Sequence, residues 1–224
     1  MLNMEKKSII AKMSKNLNLI YHYPFKNQKR VNTIYYNEIP NPLPEIEFSG
    51  NPISLYINKY KLKDRRFKLL SFKMYNGNKK IESYYRYHKN DVNNKLDEYT
   101  HVIFPKLRLE YNNKYCVVAK YLIDKEKEKI SWCFKTKKLK YEIIDINNDS
   151  KIFNISLKNN NNYYLRLKNN GITESLKKYS INKNGSYSME IYKIDMILLK
   201  LKIKEEKKIK IKLNNKIIII SILP

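Results

Sequence analysis

Three histidines are the only imidazole groups that could act in acid–base or metal chemistry: His22, His88 and His101. None has a second histidine or a cysteine at the spacing of metal ligands. Four glycines in 224 residues leave no dinucleotide or phosphate loop, and the chain has no Gly-x-Ser-x-Gly nucleophile elbow. Carboxylates cluster at residues 126–128 and 205–206, but flanking lysines in predicted turns are typical of solvated charge. The sequence therefore predicts that the protein is not an enzyme and has no catalytic residue, cofactor or metal ion.

The charge of the chain is strongly positive, with a formal net charge of +25 and an isoelectric point near 9.8. Such a charge would attract a polyanion, whether nucleic acid, an anionic lipid surface or an acidic glycan. The lysines are spread along the whole chain, however, which favours compositional bias over a dedicated binding stripe. The best motif for nucleic acid is the aromatic and basic run at residues 84–88, whose rings could stack on bases.

Cys116 and Cys133 are the only cysteines, too few for a disulfide scaffold or a zinc ribbon. In the hairpin predicted below, both point outward from neighbouring strands, so a cross-strand bridge stays open as an alternative in an oxidising compartment. We expect free thiols. The longest apolar run, residues 217–223, is interrupted by Ser221 and is far shorter than the roughly 20 residues of a membrane span. Lysines also interrupt the apolar residues near the start, so no export signal is predicted.

The order of apolar and turn residues divides the chain into three parts and predicts an all-β fold. Residues 1–47 are predicted to form a leader and an extended lead-in, because the prolines from residue 24 onward exclude regular helix in the lead-in. A short basic amphipathic helix over residues 4–20 is the alternative to the leader. Residues 48–145 predict an immunoglobulin-like or fibronectin-like β-sandwich of short strands, with a tight hairpin at Asn76-Gly77. Residues 146–224 predict a smaller antiparallel β module, and no internal repeat relates the two modules.

The most specific local pattern surrounds Tyr115. Leu109 precedes this tyrosine by six positions, as at the corner of immunoglobulin-like sandwiches where a tyrosine hydroxyl bonds back to the preceding turn. Trp132 and Phe134 follow at strand spacing, and we expect them in the core facing the Tyr115 strand. These four residues are predicted to be structural.

Leucine or isoleucine alternates with lysine in the second module. Leu199 and Leu201 alternate with Lys200 and Lys202, and the same alternation extends over residues 209–213. A period of two predicts strands with one buried face and one lysine-rich face.

Several runs of the chain resemble one protein family when they are taken together. They are YPFKNQ at residues 23–28, YNEIPNPLP at 36–44, SGNPIS at 49–54, LSFKMY at 70–75, FP at 104–105 and WCFKT at 132–136. This series is similar to the β-domain region that follows the CAP domain in bacterial CAP-domain proteins of the cysteine-rich secretory protein type. The similarity extends over residues 21–222 and is weaker in the second module.

The resemblance implies an accessory β-sandwich of the cell envelope or a secreted protein, detached from its CAP domain by a split gene, a late start or domain loss. The paired His and Glu cluster of the CAP domain has no counterpart in this chain. The expected function is a non-catalytic binding or spacer module whose partner is an unknown protein or glycan of the cell envelope. The alternative is a basic nucleic-acid-binding protein, and a hydrolase with an unrecognised site is the third hypothesis.

Overall fold

A computed structural model describes residues 18–36, 38–147, 151–169, 172–173, 175–179, 187–202 and 208–224. The chain divides into two compact units, residues 1–138 (unit 1) and residues 139–224 (unit 2). Strands make up nearly all the regular structure, and the one helix of the described residues is the single turn α1 (Lys59–Leu62). The predicted all-β class is confirmed. No helix in the described part of the chain is long and apolar enough to cross a membrane.

The described residues of unit 1 form ten strands. They are β1 (Ile20–Tyr23), β2 (Tyr35–Tyr36), β3 (Phe48–Ser49), β4 (Ile53–Ile57), β5 (Phe67–Asn76), β6 (Lys79–Ile81), β7 (Ser83–Tyr87), β8 (Thr100–Pro105), β9 (Lys114–Ile123) and β10 (Glu126–Lys135). Two antiparallel sheets have the orders β1-β4-β8-β7 and β10-β9-β5-β6, while β2 and β3 form a separate pair. An immunoglobulin-like sandwich places its strands A, B, E and D in one sheet and G, F, C and C′ in the other. The two sheets of unit 1 have this strand order.

The core of unit 1 lies between the inner faces of these two sheets. Strand β4 buries every second side chain, Ile53, Leu55 and Ile57, and β9 follows the same alternation along most of its length. A period of two puts these side chains on one face of each sheet. Each fully buried aliphatic side chain contributes about 1.5–3 kcal/mol through its removal from water.

The proline-rich lead-in is part of the sandwich rather than a segment that precedes it. Its strand β1 pairs with β4, and Val31 forms a β-bridge with Thr136. Leu43 is buried against Phe104 on the other face of the first sheet. The physical reason is that proline favours extended backbone, which can add to a sheet edge or lie across a sheet. The predicted leader, residues 1–17, lies outside the described residues.

Two tight hairpins shape the second sheet of unit 1. Asn76 pairs with Lys79 across the β5–β6 turn, and Gly77 has a φ of 56°. Glycine at the first of two loop positions is typical of a type II′ turn. The predicted hairpin is confirmed, with its loop one position later than the Asn-Gly pair. The β9–β10 turn ends before residue 126, so the acidic run 126–128 begins a strand.

In unit 2 the residues that the structure describes form eight strands in two sheets. They are β11 (Glu142–Asn147), β12 (Ile152–Lys158), β13 (Asn162–Asn169), β14 (Ile172–Thr173), β15 (Tyr187–Lys193), β16 (Met196–Leu201), β17 (Lys208–Leu213) and β18 (Lys216–Leu223). One sheet has the order β11-β13-β16-β15, with β14 paired to β13, and the other has the order β12-β18-β17. Buried side chains of both sheets form one core.

Unit 2 differs from its prediction in two respects. The expected boundary at residue 146 falls inside β11, which pairs with β13, so the unit begins at residue 139. The module is also not wholly antiparallel, because β11 runs parallel to β13 and β12 runs parallel to β18. A tight turn forces neighbouring strands to be antiparallel, and neither of these pairs is joined by one. The predicted alternation is present in β17, where each lysine is exposed and each isoleucine or leucine is buried.

Candidate anion-binding surface

The four residues predicted to be structural meet at the start of β9. The Tyr115 hydroxyl accepts a hydrogen bond of 2.9 Å from the backbone N–H of Glu110, as the corner requires. Its ring stacks on Phe134 with a centroid distance of 5.8 Å. Leu109 and Trp132 are buried in the same core. Burial raises the pKa of Tyr115, so the hydroxyl stays neutral at pH 7.

Two histidines are packed among aromatic rings. The His22 ring stacks on Trp132 at 4.0 Å, and burial lowers the pKa of His22. The Tyr85 hydroxyl oxygen and His101 Nδ1 lie 2.6 Å apart and share a hydrogen bond. Burial lowers the pKa of His101 to about 4 and raises the pKa of Tyr85 to about 12, so both are neutral at pH 7. Within the described residues no cluster of His, Cys, Asp or Glu side chains could hold a metal ion.

The aromatic and basic run at residues 84–88 lies mostly on strand β7 and is divided between the two faces of the sheet. Tyr85 and Tyr87 stack on each other at 5.2 Å on one face of the sheet. Arg86 lies on the other face, where its guanidinium pairs with the Glu45 carboxylate at 2.7 Å. The alternation of the strand therefore separates the Tyr85 and Tyr87 rings from Arg86, whose charge is already paired, and leaves Tyr84 as the one ring of β7 on the Arg86 face.

Another surface of unit 1 concentrates positive charge. The outer face of the β10-β9-β5-β6 sheet carries eight exposed lysines, and we call it the lysine face. They are Lys68, Lys73, Lys80, Lys114, Lys120, Lys127, Lys129 and Lys135. The strand register places no Asp or Glu on this face, and none of the eight is ion-paired with a described residue. The lysine face is thus a patch of uncompensated charge.

Two pairs of these lysines lie directly opposite each other on neighbouring strands. The β9–β10 register pairs Lys114 with Lys135, and Lys120 with Lys129. Side chains in such pairs have Cβ atoms about 4.5–5.5 Å apart, and like charges at that separation destabilise a sheet. An anion bound between the two ammonium groups would remove this repulsion. The arrangement therefore favours an anionic ligand.

The two cysteines also lie on the lysine face, between the two opposed lysine pairs. Cys116 and Cys133 are opposite each other in the β9–β10 register and form a disulfide, so the expectation of free thiols is wrong. Their outward placement on neighbouring strands agrees with the predicted hairpin. The physical reason for the bridge is that strand pairing already brings the two side chains within reach of each other.

The lysine face ends in a cavity of about 380 Å³, which we call the cationic cavity. It is lined by Asn27, Lys29, Asn112, Lys114, Cys133, Phe134 and Lys135. Three ammonium groups and two amides can donate hydrogen bonds there to phosphate or carboxylate oxygens. Because Lys114 and Lys135 belong to both, the cavity and the lysine face form one cationic surface.

None of the lysines of the lysine face is among the site residues that were predicted from the sequence. Lysines at alternate positions of residues 127–135 were visible, but lysines are frequent throughout the chain. A sharper signal is the lack of acidic residues at these same alternate positions. The order of the strands in the sheet places lysines of β5, β6, β9 and β10 on one face. This order could not be predicted from the sequence.

Comparisons with known proteins identify no family for this chain. No protein-family model matches the chain, and no curated protein sequence matches it. Among solved structures, an endo-fucoidan hydrolase of glycoside hydrolase family 107 is 8% identical with a TM-score of 0.31, over 89% of this chain and 27% of that chain. A titin segment of three immunoglobulin domains is 7% identical with a TM-score of 0.25, over 91% of this chain and 65% of that chain.

The tandem immunoglobulin repeats of Dlar are 10% identical with a TM-score of 0.26, over 91% of this chain and 97% of that chain. The chain thus spans about a quarter of the length of the hydrolase and about two thirds of the titin segment. TM-scores of this size carry no argument about this chain. The fold is established by the strand order itself, and the first unit of this all-β chain is an immunoglobulin-like sandwich.

Proposed function

We propose that the chain is a non-catalytic binding module that holds an extended anionic polymer against the lysine face. The observation that carries the proposal is the set of eight exposed lysines without a carboxylate among them, including two directly opposed pairs. A protein surface that only needs solubility gains nothing from opposed like charges. A bound polyanion would neutralise the opposed lysine pairs, which gives these pairs a role in binding.

The geometry of the sheet suits a polymer with regularly spaced charges. Side chains on one face of a strand recur every two residues, or about 6.6–6.8 Å, and neighbouring strands lie about 4.8 Å apart. The lysines therefore form a flat array of compact point charges on flexible stems. Successive phosphate or carboxylate groups of an extended chain could each meet an ammonium group.

A polymer without bases fits this surface better than nucleic acid. Proteins that bind single strands usually stack bases on aromatic side chains. The strand register places one aromatic residue on the lysine face, Tyr75, and its side chain is half-buried. Nucleic acid, the alternative function, is therefore the less favoured ligand.

Kinship with the β-domain region of CAP-domain proteins forms part of the proposal. It is supported by the runs at residues 23–28, 36–44 and 49–54. A location in the envelope is supported by the Cys116–Cys133 disulfide, because such bridges persist in oxidising compartments. The coding sequence next to the gene tests the split-gene form of this kinship, which requires a CAP-coding stretch there.

The binding proposal is tested with a triple variant and a charge-matched control. Lys73→Glu, Lys120→Glu and Lys129→Glu change the lysine face, while Lys208→Glu, Lys210→Glu and Lys212→Glu make the same charge change on β17 of unit 2. At about 1 kcal/mol per ionic contact, loss of three contacts weakens binding to long-chain inorganic polyphosphate by about 100-fold. The β17 variant is expected to lose less than about threefold, because long-range charge effects are screened by salt.

Equal losses in the two triple variants would contradict the proposal, since net charge and not the lysine face would then explain the binding. A single-stranded oligonucleotide of matched charge is the second probe. Tighter binding of the oligonucleotide than of polyphosphate at the same salt concentration would favour the nucleic-acid alternative.

A further inference from the structure

Unit 2 contains a second tyrosine corner that the sequence analysis did not recognise. The Tyr163 hydroxyl accepts a hydrogen bond of 3.0 Å from the backbone N–H of Lys158, five residues earlier. In unit 1 the bond from Glu110 to Tyr115 has the same separation and a length of 2.9 Å. Leu157 precedes Tyr163 by six positions, as in the first corner. The two units thus share the same local structural motif, a tyrosine corner.

The backbone of the two corners agrees in a further respect. Asn112 lies three residues before Tyr115 and has a φ of 56°, and Asn160 lies three residues before Tyr163 with a φ of 55°. Asparagine is one of the few residues other than glycine that adopts this left-handed conformation readily. A cavity adjoins each corner, with Asn112 lining the first and Asn160 lining the second.

The second cavity, which we call the amide cavity, has a volume of about 600 Å³. Its polar and charged lining residues are Tyr141, Glu142, Ser156, Lys158, Asn160, Asn161, Asn162 and Tyr163, and its apolar ones are Ile144, Leu157 and Leu223. Glu142 and Lys158 are the only charged residues in the part of the lining that the structure describes, and their formal charges cancel. In a chain with a net charge of +25, this neutrality sets the amide cavity apart from the cationic cavity.

The wall of the amide cavity is held by backbone hydrogen bonds. The Asn159 N–H donates to the Leu223 carbonyl at 3.0 Å, and the Leu201 N–H donates to the Asn161 carbonyl at 3.1 Å. These bonds tie the asparagine loop to β18 and β16, the strands that carry Leu223 and Leu201. A wall fixed in advance loses little conformational entropy when a ligand binds.

On one side of the amide cavity, the Tyr141 side chain lies beside the amide of Asn162. Hydrogen bonding to Asn162 is the largest cause that lowers the pKa of Tyr141, followed by hydrogen bonding to Lys140. The Tyr141 ring is half-buried and lies next to the Tyr164 ring, with a centroid distance of 5.8 Å. Aromatic and amide groups are therefore presented together in a space of the size that small ligands occupy.

We infer that the amide cavity binds an uncharged oligosaccharide. Sugar hydroxyls both donate and accept hydrogen bonds, and a side-chain amide offers both functions at fixed positions. The apolar C–H face of a sugar ring can pack against the Tyr141 ring beside the Lys140 ammonium group, which lies 5.1 Å from the ring centroid. The opposed pairs of the lysine face have no part in this site, so the inference is independent of the proposed anionic ligand.

The test titrates the full chain with chitotetraose, cellotetraose and mannotetraose, and follows backbone amide signals by NMR. At least one tetrasaccharide is expected to shift the signals of residues 158–163 saturably, with a Kd of about 0.1–1 mM. Tyr141→Ala and Asn162→Ala are each expected to weaken that binding by at least about tenfold, the effect of 1.4 kcal/mol. The absence of saturable shifts at residues 158–163 with all three probes would overturn the inference.

Lys114→Ala is the matched control, because Lys114 precedes Tyr115 as Asn162 precedes Tyr163. It is expected to leave tetrasaccharide binding unchanged and to weaken polyphosphate binding. If Lys114→Ala and Asn162→Ala reduce tetrasaccharide binding equally, the amide cavity is not the site. Asn162→Ala also keeps the test meaningful if Tyr141→Ala disturbs folding, since it deletes only an amide at the start of β13.

Discussion

Two tyrosine corners in one chain adjoin cavities of opposite chemistry. In unit 1 the residue before the corner tyrosine is Lys114, and the cavity contains three lysines. In unit 2 the corresponding residue is Asn162, and the cavity is formally neutral. Both tyrosines bond to a backbone N–H five residues earlier. The comparison teaches that the corner sets the shape of the chain, while the neighbouring side chains select the class of ligand.

The strand that follows each corner is also fastened by a different interaction. In unit 1 the Cys116–Cys133 disulfide joins β9 to β10. In unit 2 the buried Arg166 of β13 donates to the Asp145 carboxylate of β11 at 2.7 and 3.1 Å, and Lys168 adds a contact of 2.8 Å. Burial alone would raise the pKa of Asp145, but the hydrogen bonds and charges of Arg166 and Lys168 lower it.

Breaking the ion pair of unit 2 is expected to have the largest effect. Asp145→Asn removes the carboxylate that pairs with the buried Arg166 guanidinium at 2.7 Å, which is expected to lower the free energy of unfolding by about 4 kcal/mol. Chemical denaturation measures the loss. Glu190→Gln is the control, because it breaks an exposed pair with Lys200 and costs less than about 1 kcal/mol. Equal losses would show that Asp145 does not hold β13 in place.

Acid is expected to weaken unit 1 selectively, because burial lowers the pKa values of His22 and His101 in unit 1 and unit 2 has no histidine. The pKa of His101 is lowered from 6.5 to about 4 in the folded state. Unfolding therefore takes up a proton below pH 6.5, and up to about 3 kcal/mol of stability is lost as the pH falls from 6.5 to 4.

The acid effect is measured by the pH dependence of unfolding followed by hydrogen exchange in β8. His101→Gln removes the titrating group and is expected to flatten the profile between pH 6.5 and 4. An unchanged profile in this variant would show that His101 is not the group responsible.

Removing the disulfide is expected to loosen the corner strand of unit 1. The bridge spans 17 residues, so the double variant Cys116→Ala, Cys133→Ala should lose about 3 kcal/mol of stability. Hydrogen exchange should rise in β9 and β10 and stay unchanged in β13 and β16. Wild-type protein treated with a reductant should match the double variant, and full retention of stability would contradict the structural role of the bridge.

The two corner hydroxyls are expected to have similar and smaller effects. Tyr115→Phe and Tyr163→Phe each remove one hydrogen bond to a backbone N–H and should cost about 1 kcal/mol. Thermal or chemical unfolding of the two single variants tests the equivalence directly. A large cost in one unit and none in the other would break the comparison between the corners.

Relief of like-charge repulsion is the smallest expected effect, and its sign is opposite. Lys129→Glu places a carboxylate opposite Lys120 and should stabilise the free protein by about 0.5 kcal/mol while weakening polyanion binding. Lys127→Glu is the control, because Lys127 is opposite Leu122 and has no lysine directly across from it. A stabilisation of the same size in both variants would show that the opposed pairs carry no special repulsion.

Local patterns were sufficient to predict the strands and the first corner. The alternation in β4 and β17 and the six-residue spacing of Leu109 and Tyr115 each depend on residues that are close in the chain. The second corner has the same spacing from Leu157 to Tyr163 but was not recognised, because its surroundings are rich in asparagine. That signal was present in the sequence.

Other features depend on contacts between distant segments. The boundary between the units follows from the pairing of β11 with β13, and the burial of the lead-in follows from the pairing of β1 with β4. The disulfide follows from the β9–β10 register, since one shifted residue would turn one cysteine to the opposite face.

The sequence by itself determined that this protein is built from strands, because a period of two in apolar residues buries one face of a sheet and cannot do so in a helix. Only the tertiary structure determined which lysines lie together on one surface. Lysines of four strands meet on one face because of sheet order, and the amide cavity forms where the β12–β13 loop meets the end of β18. Side-chain alternation depends on residues that are close together in the chain, whereas a binding surface brings together residues that are far apart in the chain.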